Sequence, residues 1–241
     1  MNEVFEELSR TGFLSQIAGL YTCIPCVVIS NSEIASQRID VQPVVNKKFK
    51  NDNVEQHPVI LAVPLVFPSS STSALTFPVN VGDTVLCVFS QRGLDTFKNS
   101  DSDSRFVTPV DFRKFDKRDA IAIPGLFPFS ESVNSVSNRS LPHSTTDMVM
   151  AHNLGGNEVE IRLKPDGSLN IKSPTSVNVE CQTATIQCPD TSWTGNMTYT
   201  GTITLNGDLV QAGLHILDGI NMNTHVHGGV QTGPSVTSTP Q

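Results

Sequence analysis

The chain is short of aromatic residues and of charge: of 241 residues, 6% are aromatic and 16% charged. That is thin for an enzyme core filled by large side chains. An apolar content of 38% is nevertheless too high for global disorder. Basic charge is also scarce. A net charge of −7 argues against a general nucleic-acid binder, which presents a basic patch. No apolar run is long enough to span a membrane, and the longest, residues 58–67, is broken by Pro64. Met1-Asn2-Glu3-Val4-Phe5-Glu6-Glu7 is acidic where a secretory signal is basic, so no export signal is expected. The five cysteines are an odd number and fit a reducing compartment better than a disulfide framework. Lysine and arginine disappear altogether after Lys172, where the acidic residues are only Glu180, Asp190, Asp208 and Asp218.

Cys23-Ile24-Pro25-Cys26 has the spacing of a redox or zinc pair. No second pair completes a four-cysteine site, and the segment is β-like rather than a helix start. Cys87, Cys181 and Cys188 occupy apolar positions of strand-like segments and read as small core residues.

Residues 1–19 form the first organisational unit, a helical arm with Val4, Phe5, Leu8, Leu14, Ile17 and Ala18 at mostly helical spacing, interrupted by Gly12. Residues 20–130 change to β texture. Strands are expected over 21–30, 37–45, 59–67 and 84–90, the last opened by the turn Val81-Gly82-Asp83, and apolar residues return over 120–129. Short strands with little helix predict a small barrel of the OB type. Residues 46–56 read as a loop carrying Lys47, Lys48, Phe49 and Lys50. One such cluster is too sparse for a nucleic-acid surface, so a scaffold is favoured and no nucleic-acid partner is expected. Residues 131–157 read as a linker, Ser- and Asn-rich at first, with His143 and His152 as ordinary boundary or surface histidines.

The pattern over 158–219 is strict. Val159, Ile161 and Leu163 alternate, Pro165-Asp166-Gly167 turns the chain, and Leu169 and Ile171 alternate again. Val177, Val179 and Cys181 follow, then Ala184, Ile186 and Cys188, Met197 and Tyr199, Ile203 and Leu205, and Leu209. Each strand has one apolar face, and the segment is too narrow to bury that face on itself. A single-chain sandwich would lean on few aromatic anchors, Trp193 and Tyr199. Three copies wound about an axis close the core and remove the strand edges. The expected fold class is therefore all-β: an N-terminal OB-fold barrel, then an intertwined trimeric β-helix or prism over 158–219.

Residues 220–241 form the expected metal-binding apex. His225 and His227, at i and i+2 on an extended backbone, point to the same side. One chain supplies two ligands, so three chains meeting on an axis would supply six imidazoles. An octahedral set of that kind suits Fe(II) or Ni(II) better than tetrahedral zinc.

A small β-barrel, a Thr-rich meander free of Lys and Arg, and a terminal His-x-His resemble the central baseplate spike of contractile-tailed bacteriophages, of the Mu-like type with an OB-fold and a β-helix. The residues that carry the resemblance are Val81-Gly82-Asp83-Thr84-Val85-Leu86-Cys87-Val88-Phe89-Ser90, the 159–209 meander and Thr224-His225-Val226-His227-Gly228. The resemblance implies a homotrimer at the baseplate tip of the virion tail. Its N-terminal domain would bind baseplate hub or tail tube proteins. One structural iron ion per trimer would be held by His225 and His227 of three chains, and the tip would pierce the host outer membrane. No stretch is long enough for the lysozyme domain that some members carry, so no enzyme activity is expected. Two other classes remain open. A trimeric tail fibre or receptor-binding tip calls for exposed aromatic platforms, and none follows Tyr199. A metal-dependent hydrolase calls for further groups beside His225 and His227, for which His215 and Asp218 are the nearby candidates.

Overall fold

Period-two alternation sets which side of each strand faces inward, and the first half of the chain follows it closely. The computed structural model describes residues 7, 10–13, 19–101, 106–224 and 233. The chain divides into two units, Met1–Val179 and Glu180–Gln241. Of the expected helical arm, residues 7 and 10–13 are helical and the remainder up to residue 18 lies outside the described residues.

The strands of the first region are β1 (Cys23–Ser30), β2 (Arg38–Pro43), β3 (Lys47–Lys48), β4 (Val54–Glu55), β5 (Ile60–Pro64), β6 (Thr84–Phe89) and β7 (Ala120–Pro124). Five of them make one antiparallel sheet in the order β5-β2-β1-β6-β7, while β3 and β4 pair as a small hairpin in the segment expected to be a loop. Alternate residues supply the core: Cys26 and Val28, Ile39 and Val41, Val85, Cys87 and Phe89, Ala120 and Ala122. Phe67 and Val79, outside the strands, close it.

Two bulges curl the sheet. The β1–β2 register shifts between Val28 and Ser30, and the β2–β5 register between Ile39 and Val41. At the second, Leu61 and Ala62 stand opposite Asp40, Ala62 takes φ +51°, and its N–H donates to Asp40 Oδ1 at 2.9 Å. Bulges of this kind bend and twist the strand that carries them. The chain leaving β5 then reaches β7 through a parallel bridge between Leu65 and Ala122, and Val66 N–H donates to Ala122 O at 3.0 Å. The result is a curled half-barrel. The turn into β6 needs its glycine: Gly82 sits at φ +98°, where a side chain is strained.

A second sheet follows in the same unit: β8 (Met148–His152), β9 (Val159–Leu163) and β10 (Leu169–Lys172), antiparallel in the order β10-β9-β8. β8 falls inside the segment expected to be a linker. Gly167, at φ +85°, makes the β9–β10 turn, as Pro165-Asp166-Gly167 predicts.

Beyond β10 the single chain forms no strand until β11 (Ile216–Leu217) and β12 (Ile220–Asn221). Every residue from 174 to 220 is exposed. Cys181 and Cys188, expected in a core, are exposed within one chain because no neighbouring strand covers them.

Candidate functional site

The two expected metal ligands, His225 and His227, lie outside the described residues. The backbone that delivers them is described as far as Thr224. β11 and β12 form a hairpin whose turn, Asp218-Gly219, has both residues at positive φ, +53° and +82°. Asp-Gly between apolar residues is the sequence signature of such a two-residue turn, and it is legible in Ile216-Leu217-Asp218-Gly219-Ile220. Met222 N–H donates to His215 O at 2.8 Å, and Asn223 Nδ2 donates to Gly213 O at 3.1 Å. The hairpin thus fixes the chain just ahead of residue 225. His215 and Asp218, the further candidates for a hydrolytic site, are exposed on this hairpin. Among the described residues no cluster of three or more His, Cys, Asp or Glu could hold a metal ion.

Cys23 and Cys26 are three apart on β1, so their side chains leave opposite faces of the strand: Cys23 is exposed and Cys26 buried. They do not form a shared ligand pair. Cys26 and Cys87 are instead both buried in the half-barrel core; Cys26 Sγ donates to Ile24 O at 3.7 Å, and the neighbouring Cys26 thiol and burial push the Cys87 thiol up. A buried, protonated thiol is inert. The Lys47–Phe49 cluster lies on the β3–β4 hairpin and borders a cavity of about 490 Å³ together with Tyr21 and His57. Burial, then the nearby Lys47 charge, hold His57 below its ordinary pKa.

On the barrel flank one carboxylate organises the local charge. Asp119 is fully buried; it accepts Arg113 Nε at 2.7 Å, Arg113 Nη2 at 2.8 Å and the Leu94 amide at 2.8 Å. Arg113 also binds Asp111 and Asp95, the latter on the short helix α1 (Asp95–Lys98). Burial pushes the Asp119 carboxyl up, but Arg113 and the Leu94 amide outweigh it and hold it below the usual range.

The β8–β10 sheet is inverted relative to the ordinary rule. Its charged residues are inside: Glu158, Glu160 and Arg162 are buried. They lie under the 139–147 segment, which acts as a strap. Glu158 Oε2 accepts the amides of Ser140 at 2.8 Å and Leu141 at 3.0 Å, and Glu158 pairs with Arg139. Arg162 Nη2 donates to Glu160 at 2.8 Å and to the carbonyls of Leu141 and Pro142 at 3.3 and 3.2 Å. Burial alone would raise the Glu158 carboxyl; the Leu141 amide and the Arg139 guanidinium hold it below the usual range instead. The apolar residues of the same strands are exported. Met148, Leu163 and Leu169 form one cross-strand row, and Met150, Ile161 and Ile171 the next. All six are exposed, from 39% at Ile161 to 71% at Met148.

The described surfaces therefore separate a self-sufficient half-barrel from apolar faces that find no cover within one chain. That is the build of a structural component. Comparison with known families agrees for the half-barrel: residues 24–125 match the model of the phage protein Gp138 N-terminal domain. The match opens at the second residue of β1, closes one residue beyond β7, and covers fewer than half of the 241 residues. It supports a phage structural protein and suggests a virion component. No curated protein matches the chain.

Proposed function

We propose that this chain is the spike at the tip of a contractile phage tail. The trimeric β-helix expected over 158–219 is narrowed in this proposal to 174–220, because β9 and β10 already pair within one chain; three copies wind these segments together, and the tip is driven through the host outer membrane. The observation that carries this reading is the exposure of every residue from 174 to 220, apolar positions such as Ile186, Tyr199, Ile203 and Leu205 included. Such a face is stable only when covered, and identical neighbours cover it with no free edges. The phage-family match of the preceding domain supports the same reading.

In this proposal the half-barrel is an OB-fold. The order β5-β2-β1-β6-β7, with β5 and β7 brought together by the Leu65–Ala122 bridge, is that of a five-stranded, partly open Greek-key barrel. It binds the baseplate hub or the tail tube. The apex is cross-linked by one iron ion held by His225 and His227 of each copy. A prism has nothing beyond its last turn to pack on, so a shared metal there adds its binding energy to the folding energy. With six imidazoles bound, no position is left for water or substrate, and the ion is structural rather than catalytic.

Elemental analysis alongside light scattering tests this directly. The expected result is a trimer carrying one iron, which is lost in the His225→Ala variant. A monomer with one zinc per chain overturns the spike and brings the hydrolase forward. A metal-free trimer keeps the architecture and removes the apex site.

A further inference from the structure

The β8–β10 sheet has one face sealed by its own chain and one face left open. The sealed face is charged, which fixes the orientation. Turning the sheet over would break the pairs of Arg139 with Glu158 and Glu160 and the bonds from Arg162 to the Leu141 and Pro142 carbonyls, and leave buried charges short of partners. The chain therefore cannot cover Ile161 and its neighbours by inverting the sheet. The open face carries six apolar residues in two cross-strand rows and no charged group between them. A charged partner has nothing to bind there; the surface that fits it is another apolar one.

Continuity points to the chain's own copies as that partner. The 174–220 segment, exposed at every residue and wound between copies on the trimeric reading, begins two residues beyond β10, so the neighbours that cover it also reach this face. A second observation separates the sheet from the segment that follows it. β8, β9 and β10 are already hydrogen-bonded within one chain, whereas residues 174–215 form no strand within one chain. A preformed sheet can dock without further ordering, while the segment must be ordered as it pairs and bears that entropy cost at the same step. Once the sheets have met, winding of the tethered segments is effectively intramolecular.

We propose that the apolar face of the β8–β10 sheet is the docking surface at which copies of this chain first meet, and that it sets the register in which the 174–220 segments then wind. The inference rests on the trimeric reading above but assigns the initiating contact to a surface outside the β-helix. The 139–147 strap is the device that presents this face.

The test uses the full-length protein with Ile161→Glu on the sheet and Leu209→Glu on the segment, followed by sedimentation over a concentration series and by hydrogen exchange. Ile161→Glu is expected to move the assembly midpoint to ~100-fold higher concentration, since a charge buried unpaired in an interface costs that much or more. The milder Ile161→Thr is expected to move it in the same direction, and protection of the β1 and β6 amides in the same exchange experiment checks that both variants fold. Leu209→Glu is expected to keep the copies associated, with protected amides in β8–β10 and exchanging amides in the segment. Assembly of Ile161→Glu at the wild-type concentration overturns this inference and leaves the spike standing. Equal loss in the sheet and segment variants overturns the order of events. A wild-type chain that is monomeric at every concentration overturns the trimeric reading itself.

Discussion

The half-barrel and the 174–220 segment are both written in short alternating strands, yet the first buries its apolar face and the second exposes all of it. The difference lies in reach rather than in composition. Five strands with two bulges can curl until Leu65 meets Ala122, which gives the inward residues a common core. Residues 174–215 pair with nothing in their own chain, so their alternating apolar positions stay open. The β8–β10 sheet lies between these cases: its backbone pairs within the chain, but its core does not form there. On the proposed trimeric reading, barrel stability would be a property of the single chain, whereas the order of the later segment would depend on protein concentration.

The largest effect is expected at Arg113. Arg113→Ala leaves Asp119 buried without its main partner, and breaking a buried pair from one side costs about 3–5 kcal/mol. Hydrogen exchange of the β1 and β6 amides over a denaturant series should show this loss unchanged across a wide range of protein concentration. A loss that shrinks as concentration rises would mean that the barrel too is held by its neighbours, and the contrast between the two regions would fail.

Acid should act on both regions through the same physics with a smaller effect. Asp119 in the barrel and Glu158 under the strap are both held below their ordinary pKa. A carboxyl depressed in the folded state contributes stability that is fully present above its unfolded pKa, near 4, and is lost as pH falls through the lower folded value. Stability from these groups is thus complete at neutral pH and erodes below about pH 4, each site losing roughly 1.5–3 kcal/mol as its charged hydrogen bonds go. Asp119→Asn should flatten the acid limb of the barrel transition. Exchange of the Ser140 and Leu141 amides, which donate to Glu158, should rise over the same window. No acid limb in either readout would show that the ion layers carry no net stability.

How much of this was legible in the sequence follows from how local each cause is. Val85, Cys87 and Phe89 alternate, and Gly82 and Gly167 mark their turns, so β6, β9 and β10 could be read from a few neighbouring residues. The inversion of the β8–β10 sheet could not. Val159, Ile161 and Leu163 read as inward-facing until Arg139, Ser140 and Leu141, about twenty positions earlier, are seen to satisfy Glu158 and Arg162. β8 was hidden for a similar reason, because Met148 and Met150 face no core within the chain and their segment follows a Ser- and Asn-rich stretch. The barrel's curl was hidden as well. Ile60 and Val63, three apart, are both buried, which breaks the period of two, and only the Ala62 bulge explains it.

That bulge gives the smallest and sharpest test of the comparison. Ala62 holds φ +51°, a conformation that costs a side-chain-bearing residue about 1–2 kcal/mol and costs glycine almost nothing. Glycine brings its own penalty of roughly 0.5–1 kcal/mol through the freer unfolded chain. Ala62→Gly should therefore stabilise the half-barrel by roughly 0.5–1 kcal/mol, read as a small rise in its melting temperature. The gain belongs to curvature alone: no core side chain changes, and the amide of residue 62 still donates to Asp40. Assembly through the later segment should be untouched. A destabilised Ala62→Gly would mean that the methyl group has a packing role and that the left-handed backbone at this point is not what limits the curl.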